Sequence, residues 1–373
     1  MTIGTVILTV VVTAKTSFRT TLLPVKIINA FEGHVSHGAE SHGWAWIGNR
    51  ADSSIQWLSI CSGLRWLGRF PRLARYSTAW RVVSESKKAD LIVTHGERMA
   101  VWVGLVKRIM HVNTPHLAWS FTAPQLETLS PLKLKLFKAG LRDVDRFIMF
   151  SQLEVRIYPR LFGHSPDRYQ MVPWCSERPV FDEAAPRIVE GEYIAAMGGE
   201  GRDYKTLFDA IKDLPDIKLV VVTSPECVKR LDVPTNVIVF TTIPYVDAMN
   251  IAFHSEFMVT PLISDKVAAG HGTLIAQFLL EKASIVTEAE TMDGYCEDGI
   301  NSLTVPAGDS SAMREAILKL RSQPELKTQL TQNALTFART CCSEKSTVDF
   351  FHEYLRKKGL LLAGSGNTKD YLQ

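Results

Sequence analysis

Gly270, His271, Gly272 and Thr273 stand immediately ahead of an apolar run, and their types and spacing suit an anion site. Thr273 can cap or open a helix there, and the first amides of a helix have no partner within it. Those N–H groups and the positive end of the helix dipole attract a phosphate, and small residues let it approach the backbone. A plain loop with a helix cap fits the same residues. A second candidate is His95, which follows the apolar run Asp90–Thr94 and precedes Gly96 and Glu97. It reads as a polar contact to a bound sugar, or as a capping or surface residue. His34, His37 and His42 have the wrong spacing for one helix face and no Cys or paired carboxylate beside them, so no metal is expected.

The elements that must position these residues alternate along the chain. Strand candidates are Val6–Val12, Trp44–Gly48, Asp90–Thr94, Pro115–Ser120, Arg146–Ser151, Tyr193–Met197, Lys218–Thr223, Asn236–Phe240, Glu256–Pro261 and Ala283–Glu288. Helix candidates between them are Arg98–Ile109, Gln152–Phe162, Tyr204–Lys212, Val246–Phe253, Thr273–Glu281, Ser311–Ser322 and Glu325–Thr340. Near-continuous apolar strands in such alternation predict parallel sheets covered on both faces. The pattern runs twice and breaks at the Pro- and charge-rich stretch 177–191. It predicts an α/β protein of two doubly wound, Rossmann-like lobes, residues 1–178 and 190–340, facing a cleft that holds the ligand. Residues 341–373 read as a C-terminal helix crossing back to the N-terminal lobe, then a flexible tail from Gly364.

Three stretches resemble the C-terminal lobe of family-4-like glycosyltransferases of the GT-B fold. They are Met197-Gly-Gly-Glu-Gly-Arg-Asp-Tyr-Lys-Thr-Leu-Phe-Asp-Ala210, Ala269-Gly-His-Gly-Thr-Leu-Ile-Ala-Gln-Phe-Leu-Leu280, and Tyr295-Cys-Glu-Asp-Gly-Ile-Asn-Ser-Leu-Thr-Val-Pro-Ala-Gly-Asp309. The N-terminal lobe is similar only at Phe147–Tyr158. The resemblance implies a retaining, metal-independent sugar transfer from a nucleotide-diphosphate sugar, with UDP-sugar favoured and GDP-sugar the alternative, and no other cofactor. It places Arg202 against the diphosphate, where a guanidinium clamps two oxygens in a planar fork. Lys205 stands near it as a second cation or as a solvated helix residue. Gly199 and Gly201 let the phosphates approach. Phe240–Tyr245, with Ile243, lies where the family reads the base. The family's paired Glu become Ala269 and Gln277, the latter able to bond a ribose through its amide. Arg202, with His95 on the opposite lobe, is therefore the expected catalytic pair. Gly199, Gly201, Lys205, Ile243, Gly270, His271, Gly272, Thr273 and Gln277 are the expected donor contacts. Gly270→Val is expected to cut turnover while leaving the thermal transition nearly intact.

The chain has 373 residues and a net charge of +3, with the basic excess in the first 178 residues and the acidic excess in the rest. Trp57–Arg81 contains Arg65, Arg69, Arg72, Arg75 and Arg81 and no acid, interleaved with aromatic and aliphatic residues; Pro131–Arg142 is a second such segment. Basic aromatic-rich helices dock on anionic headgroups. The expected partners are thus the donor, a lipid-linked glycan acceptor and an anionic membrane surface, with no nucleic acid. The Arg residues from 65 to 75 are expected to carry the membrane attachment. Six cysteines without a CxxC pair read as reduced thiols. Val6–Val12 is too short to span a bilayer. A cytoplasmic protein on the inner membrane face, building cell-surface polysaccharide or glycolipid, is the resulting expectation. A catalytically inactive GT-B-like binding subunit and a nucleic-acid-binding protein are the alternatives.

Overall fold

The computed structural model describes residues 24–32, 46–50, 53–61, 71–123, 126, 129–199, 201–263 and 269–361. Val6–Val12, the three histidines near residue 40, Arg65, Arg69 and the tail after 361 lie outside them.

Six parallel strands form the first sheet: β1 (Val25–Ala30), β2 (Ile55–Ile60), β3 (Leu91–His95), β4 (His116–Trp119), β5 (Arg146–Met149) and β6 (Tyr169–Met171). Their order is β2-β1-β3-β4-β5-β6. Six more form the second: β7 (Ile194–Met197), β8 (Leu219–Thr223), β9 (Val237–Thr241), β10 (Met258–Thr260), β11 (Ser284–Thr287) and β12 (Leu303–Val305). That order is β12-β11-β10-β7-β8-β9. Central strands such as β4, β7 and β11 are buried at every position, as parallel strands covered on both faces must be. Both sheets reverse strand order once, between β1 and β3 and between β7 and β10. Ligands bind at the carboxyl ends of strands at such a switch point.

Helices cover both sheets. In the first lobe, α3 (Glu97–Ile109) and α4 (Pro131–Leu141) cross at Gly104 and Gly140, so closely that a Cβ on either would collide with the other helix's backbone. In the second, α6 (Tyr204–Ile211) is capped by Asp203, whose carboxylate accepts from Thr206 N. The last helix, α12 (Glu344–Lys357), leaves the second lobe. It buries Val348, Phe351, Tyr354 and Leu355 among Val25, Ile27 and Trp119 of the first. Phe351 stacks on Trp119 at 5.1 Å and meets Trp57 edge-on.

One local expectation fails. Trp44–Gly48 is no strand, because Ile47–Arg50 is the short helix α1, which buries Ile47 and packs beside α12. The edge position it would need is held by β2, paired to β1 throughout. The described residues of the basic stretch Trp57–Arg81 fall in two elements, with Pro71 at the boundary its ring demands. Trp57 and Leu58 belong to β2, and Pro71 opens α2 (Pro71–Ser86) at the first helical position, where its missing N–H costs nothing. Arg75 is not left facing solvent, since its Nε and Nη2 donate to both Glu32 oxygens at 2.6 and 2.9 Å.

Candidate active site

At the second lobe's switch point lies a cavity of about 510 Å³. Its floor is the β7 turn, Met197–Gly199. One wall is α9 (His271–Leu279), through Gly272, Thr273, Ala276 and Gln277. The other is Thr242, Ile243 and α8 (Tyr245–His254), through Tyr245, Ala248, Met249 and Ala252. Ser176, from the connection between lobes, closes one edge. The interior is apolar at Met249, Ala252, Met258 and Leu280, and its polar groups collect near Gly199, Thr223, Ser224 and Thr273. An apolar recess with polar groups at one end suits a ligand that is flat at one end and charged at the other.

Gly270 is the N-cap of α9 with φ +98°, a left-handed conformation glycine adopts at little cost. A Cβ there would lie 3.0 Å from Met292 Cε and 3.3 Å from Arg202 Nη1. The Arg202 guanidinium therefore sits under the helix start. Its Nε donates to Met197 O at 2.9 Å and its Nη2 to Thr273 Oγ1 at 3.1 Å. The side chain is buried, and burial lowers its pKa from the ordinary arginine value. Arg202 thus lies one layer behind the cavity wall and reaches it through Thr273. Gly201 brings the two loops together, because a Cβ on it would be 2.8 Å from Ala269 Cβ.

Of the expected donor contacts, Gly199, Ile243, Gly272, Thr273 and Gln277 line the cavity. Gly201 and Gly270 shape the two loops without lining it. Three of the nine expected contacts, Gln277 among them, require correction. Lys205 lies on the solvent face of α6, its side chain 74% exposed and paired with Asp209 at 2.7 Å, because one turn of helix brings the two together. His271 turns its ring into the core, where Nε2 donates to Thr291 O at 2.7 Å and the ring rests on Tyr295. Only its backbone belongs to the helix start. Gln277 reaches the wall, but Nε2 donates to Thr260 Oγ1 and Oε1 accepts from Ser284 Oγ, both at 2.9 Å, tying β10 to β11 instead of serving a ribose.

Sequence reasoning missed Ser176, Thr223, Ser224 and Met249. Thr223 ends β8, and a polar residue at a strand's carboxyl end was the signal available for it. Ser176 carried no such signal, since it is placed by the crossing between lobes. There its N–H donates to Cys342 O at 2.8 Å, while Trp174 N donates to Tyr295 Oη at 2.8 Å.

His95 stands at the first lobe's switch point, its Nε2 donating to Asn29 Oδ1 at 2.6 Å and its ring edge-on to Phe31. Burial pulls its pKa down to about 3, so the ring is neutral in the fold. An unfolded histidine titrates near 6.5. Between those values the unfolded chain takes up a proton that the folded chain refuses, so stability falls as pH falls. Moving from pH 7 to pH 5 is expected to cost about 1–2 kcal/mol at this site. Denaturant titrations of the parent and His95→Gln at both pH values check it, the variant showing the smaller loss.

No protein-family model and no curated protein matches the sequence. Solved structures do. HepE of Anabaena, in complex with UDP, superposes with a TM-score of 0.65 at 15% identity, over 89% of this chain and 100% of that one. Sucrose-phosphate synthase of Thermosynechococcus elongatus follows at 0.62 and 16%, over 90% and 99%. The lipopolysaccharide outer core galactosyltransferase WaaB in its apo form gives 0.60 at 12%, over 90% and 100%. The shared fold is GT-B, with two Rossmann-like lobes.

Proposed function

We propose that this GT-B chain is a retaining glycosyltransferase that moves a sugar from a UDP-sugar to a lipid-linked glycan. The observation that carries the reading is the switch-point cavity, apolar at one end and closed at the other by the α9 N-terminus with Arg202 beneath it. HepE, with the same fold, has been crystallised with UDP and with UDP-glucose, which supports uridine as the base.

The base lies against Ile243 and Met249, and the diphosphate lies at Gly199 and the Gly272–Thr273 amides. When the bond from the anomeric carbon to the β-phosphate oxygen breaks, negative charge grows on that phosphate. Amides already aimed at it, with the Arg202 charge fixed behind them, lower the barrier without reorganising. The acceptor hydroxyl attacks from the face the diphosphate leaves, forms the new carbon–oxygen bond and gives its proton to the departing phosphate oxygen. His95, neutral at the carboxyl end of β3, is the first lobe's proposed contact to the transferred sugar or the acceptor. The test is incubation with UDP-sugars and lipid-linked glycans, reading UDP release and the anomeric configuration of the product. An α-linked product from an α-configured donor supports the reading, and UDP binding without turnover identifies a binding subunit instead.

The membrane-facing side is assigned to α4. Leu132 and Leu136 are exposed on it, 68% and 43%, beside exposed Lys133, Lys135 and Lys138. Phe137 on its other side stacks against Phe162 of α5 (Gln152–Phe162). Apolar side chains enter the headgroup layer while lysines meet lipid phosphates, each worth about 1 kcal/mol near the surface. Changing the three lysines to Ser is expected to cut flotation with anionic vesicles at least tenfold at low salt, with UDP affinity unchanged. Equal flotation of variant and parent removes this face from the membrane. No helix among the described residues is long and apolar enough to cross a bilayer.

A further inference from the structure

Three consecutive carbonyls, from the last residue of β7 into the turn after it, are held by side chains from elsewhere. Arg202 Nε donates to Met197 O at 2.9 Å. Gly198 O accepts twice, from Tyr204 Oη at 2.5 Å and from Thr223 Oγ1 at 2.8 Å. Gly199 O accepts from Cys227 Sγ at 3.1 Å. The glycines alone do not fix this turn, because Gly198 has φ +111° and glycine backbone is free to rotate. The donors come from different elements: Tyr204 from the first turn of α6, Thr223 from the end of β8, and Cys227 from the short helix α7 (Pro225–Val228). Tyr204 is almost fully buried, among Leu207, Phe208 and Val221.

A trans peptide points its C=O and the next N–H in opposite directions. Two hydroxyls on the Gly198 carbonyl therefore fix the direction of the Gly199 N–H, in a residue that lines the cavity. We propose that Tyr204 and Thr223 are positioning residues for diphosphate recognition, holding the Gly198–Gly199 peptide so that the Gly199 amide is presented to the phosphates. The inference rests on the donor-site reading above and goes beyond it. Neither hydroxyl touches the ligand in this role. Each sets the angle of a donor that does, and a preorganised donor is worth more than one that must be turned at the moment of binding.

The role separates the diphosphate from the nucleoside. Tyr204→Phe and Thr223→Val remove one clamp each with little change of shape. Calorimetric titration of each variant with UDP and with uridine is the experiment. UDP is expected to bind about tenfold more weakly to each single variant, and more weakly again to the double variant, while uridine affinity stays within about twofold. Thr223→Ser, which keeps the hydroxyl, is expected to restore UDP binding. A loss shared equally by UDP and uridine marks a general disturbance of the lobe and overturns the positioning role. Unchanged UDP binding in the double variant overturns it as well. If the parent binds neither UDP nor uridine, the donor-site reading itself fails and takes the positioning role with it.

Discussion

Arg202→Ala is expected to lower kcat about a hundredfold or more and to weaken UDP binding about tenfold, through lost charge behind the cavity wall and a loosened Thr273. The larger effect falls on kcat because the phosphate gains charge as the glycosidic bond breaks. The guanidinium lies under the α9 N-terminus, within hydrogen-bond reach of Thr273 Oγ1. Its positive charge therefore adds to the field at the amides proposed to meet the leaving group. Because the side chain is buried and also holds Met197 O, the substitution costs folding stability too. Steady-state kinetics below the thermal transition separate the two effects, with Arg202→Lys as the control. Lysine keeps a charge but loses the planar fork, so its kcat should fall between parent and alanine variant. Parental kcat in a folded Arg202→Ala protein removes Arg202 from the site.

Gly270→Val is expected to damage both catalysis and stability. Sequence reasoning expects an intact thermal transition, and the backbone shows why that is too generous. At φ +98° a β-branched residue is strained by about 1–2 kcal/mol. Its Cβ also crowds Met292 Cε, Arg202 Nη1 and Leu262 Cδ2 at 3.0–3.3 Å, and overpacking typically adds about 1–3 kcal/mol. Calorimetry should show Tm lower by roughly 5–10 °C. Turnover measured at a temperature where the variant is folded should fall about a hundredfold, because the start of α9 and the guanidinium are pushed apart. An unchanged Tm would show that the loop absorbs the side chain.

Much of the architecture is legible in the residues, for a physical reason. Strands such as Ile194–Met197 are covered on both faces, so they read as unbroken apolar runs with glycine or charge at their ends. Strands at or near the edge do not. Tyr169–Met171 and Leu303–Val305 have three residues each, too few to show a period. Val25–Ala30 is interrupted by Lys26 and Asn29, although only Lys26 is exposed. Asn29 is buried because it serves His95 from the neighbouring strand, a pairing across 66 residues that spacing cannot reveal.

The site divides in the same way. Backbone features came through, because glycines before a helix are visible in any sequence. Side-chain roles did not, because they depend on rotation about the helix axis. Lys205 and Tyr204 are adjacent on α6, yet one bonds Asp209 in solvent and the other the Gly198 carbonyl in the core. His271 and Gly272 are adjacent on α9, yet only Gly272 lines the cavity. The charge asymmetry carried less than it promised. Arg75 is spent on Glu32, and Arg156 meets Glu290 and Asp293 across the lobes at 3.1 and 3.4 Å.

The most direct test of the central claim is an equilibrium titration of the full chain with UDP, repeated with Thr273→Trp, which fills the cavity beside the start of α9. One UDP per chain should bind the parent with a Kd of about 1–100 μM, near the range of ordinary substrate affinities. Binding should weaken at least a hundredfold in the variant. A parent that gives no binding heat with UDP, or a variant that binds as tightly as the parent, would contradict the assignment of this cavity to the donor.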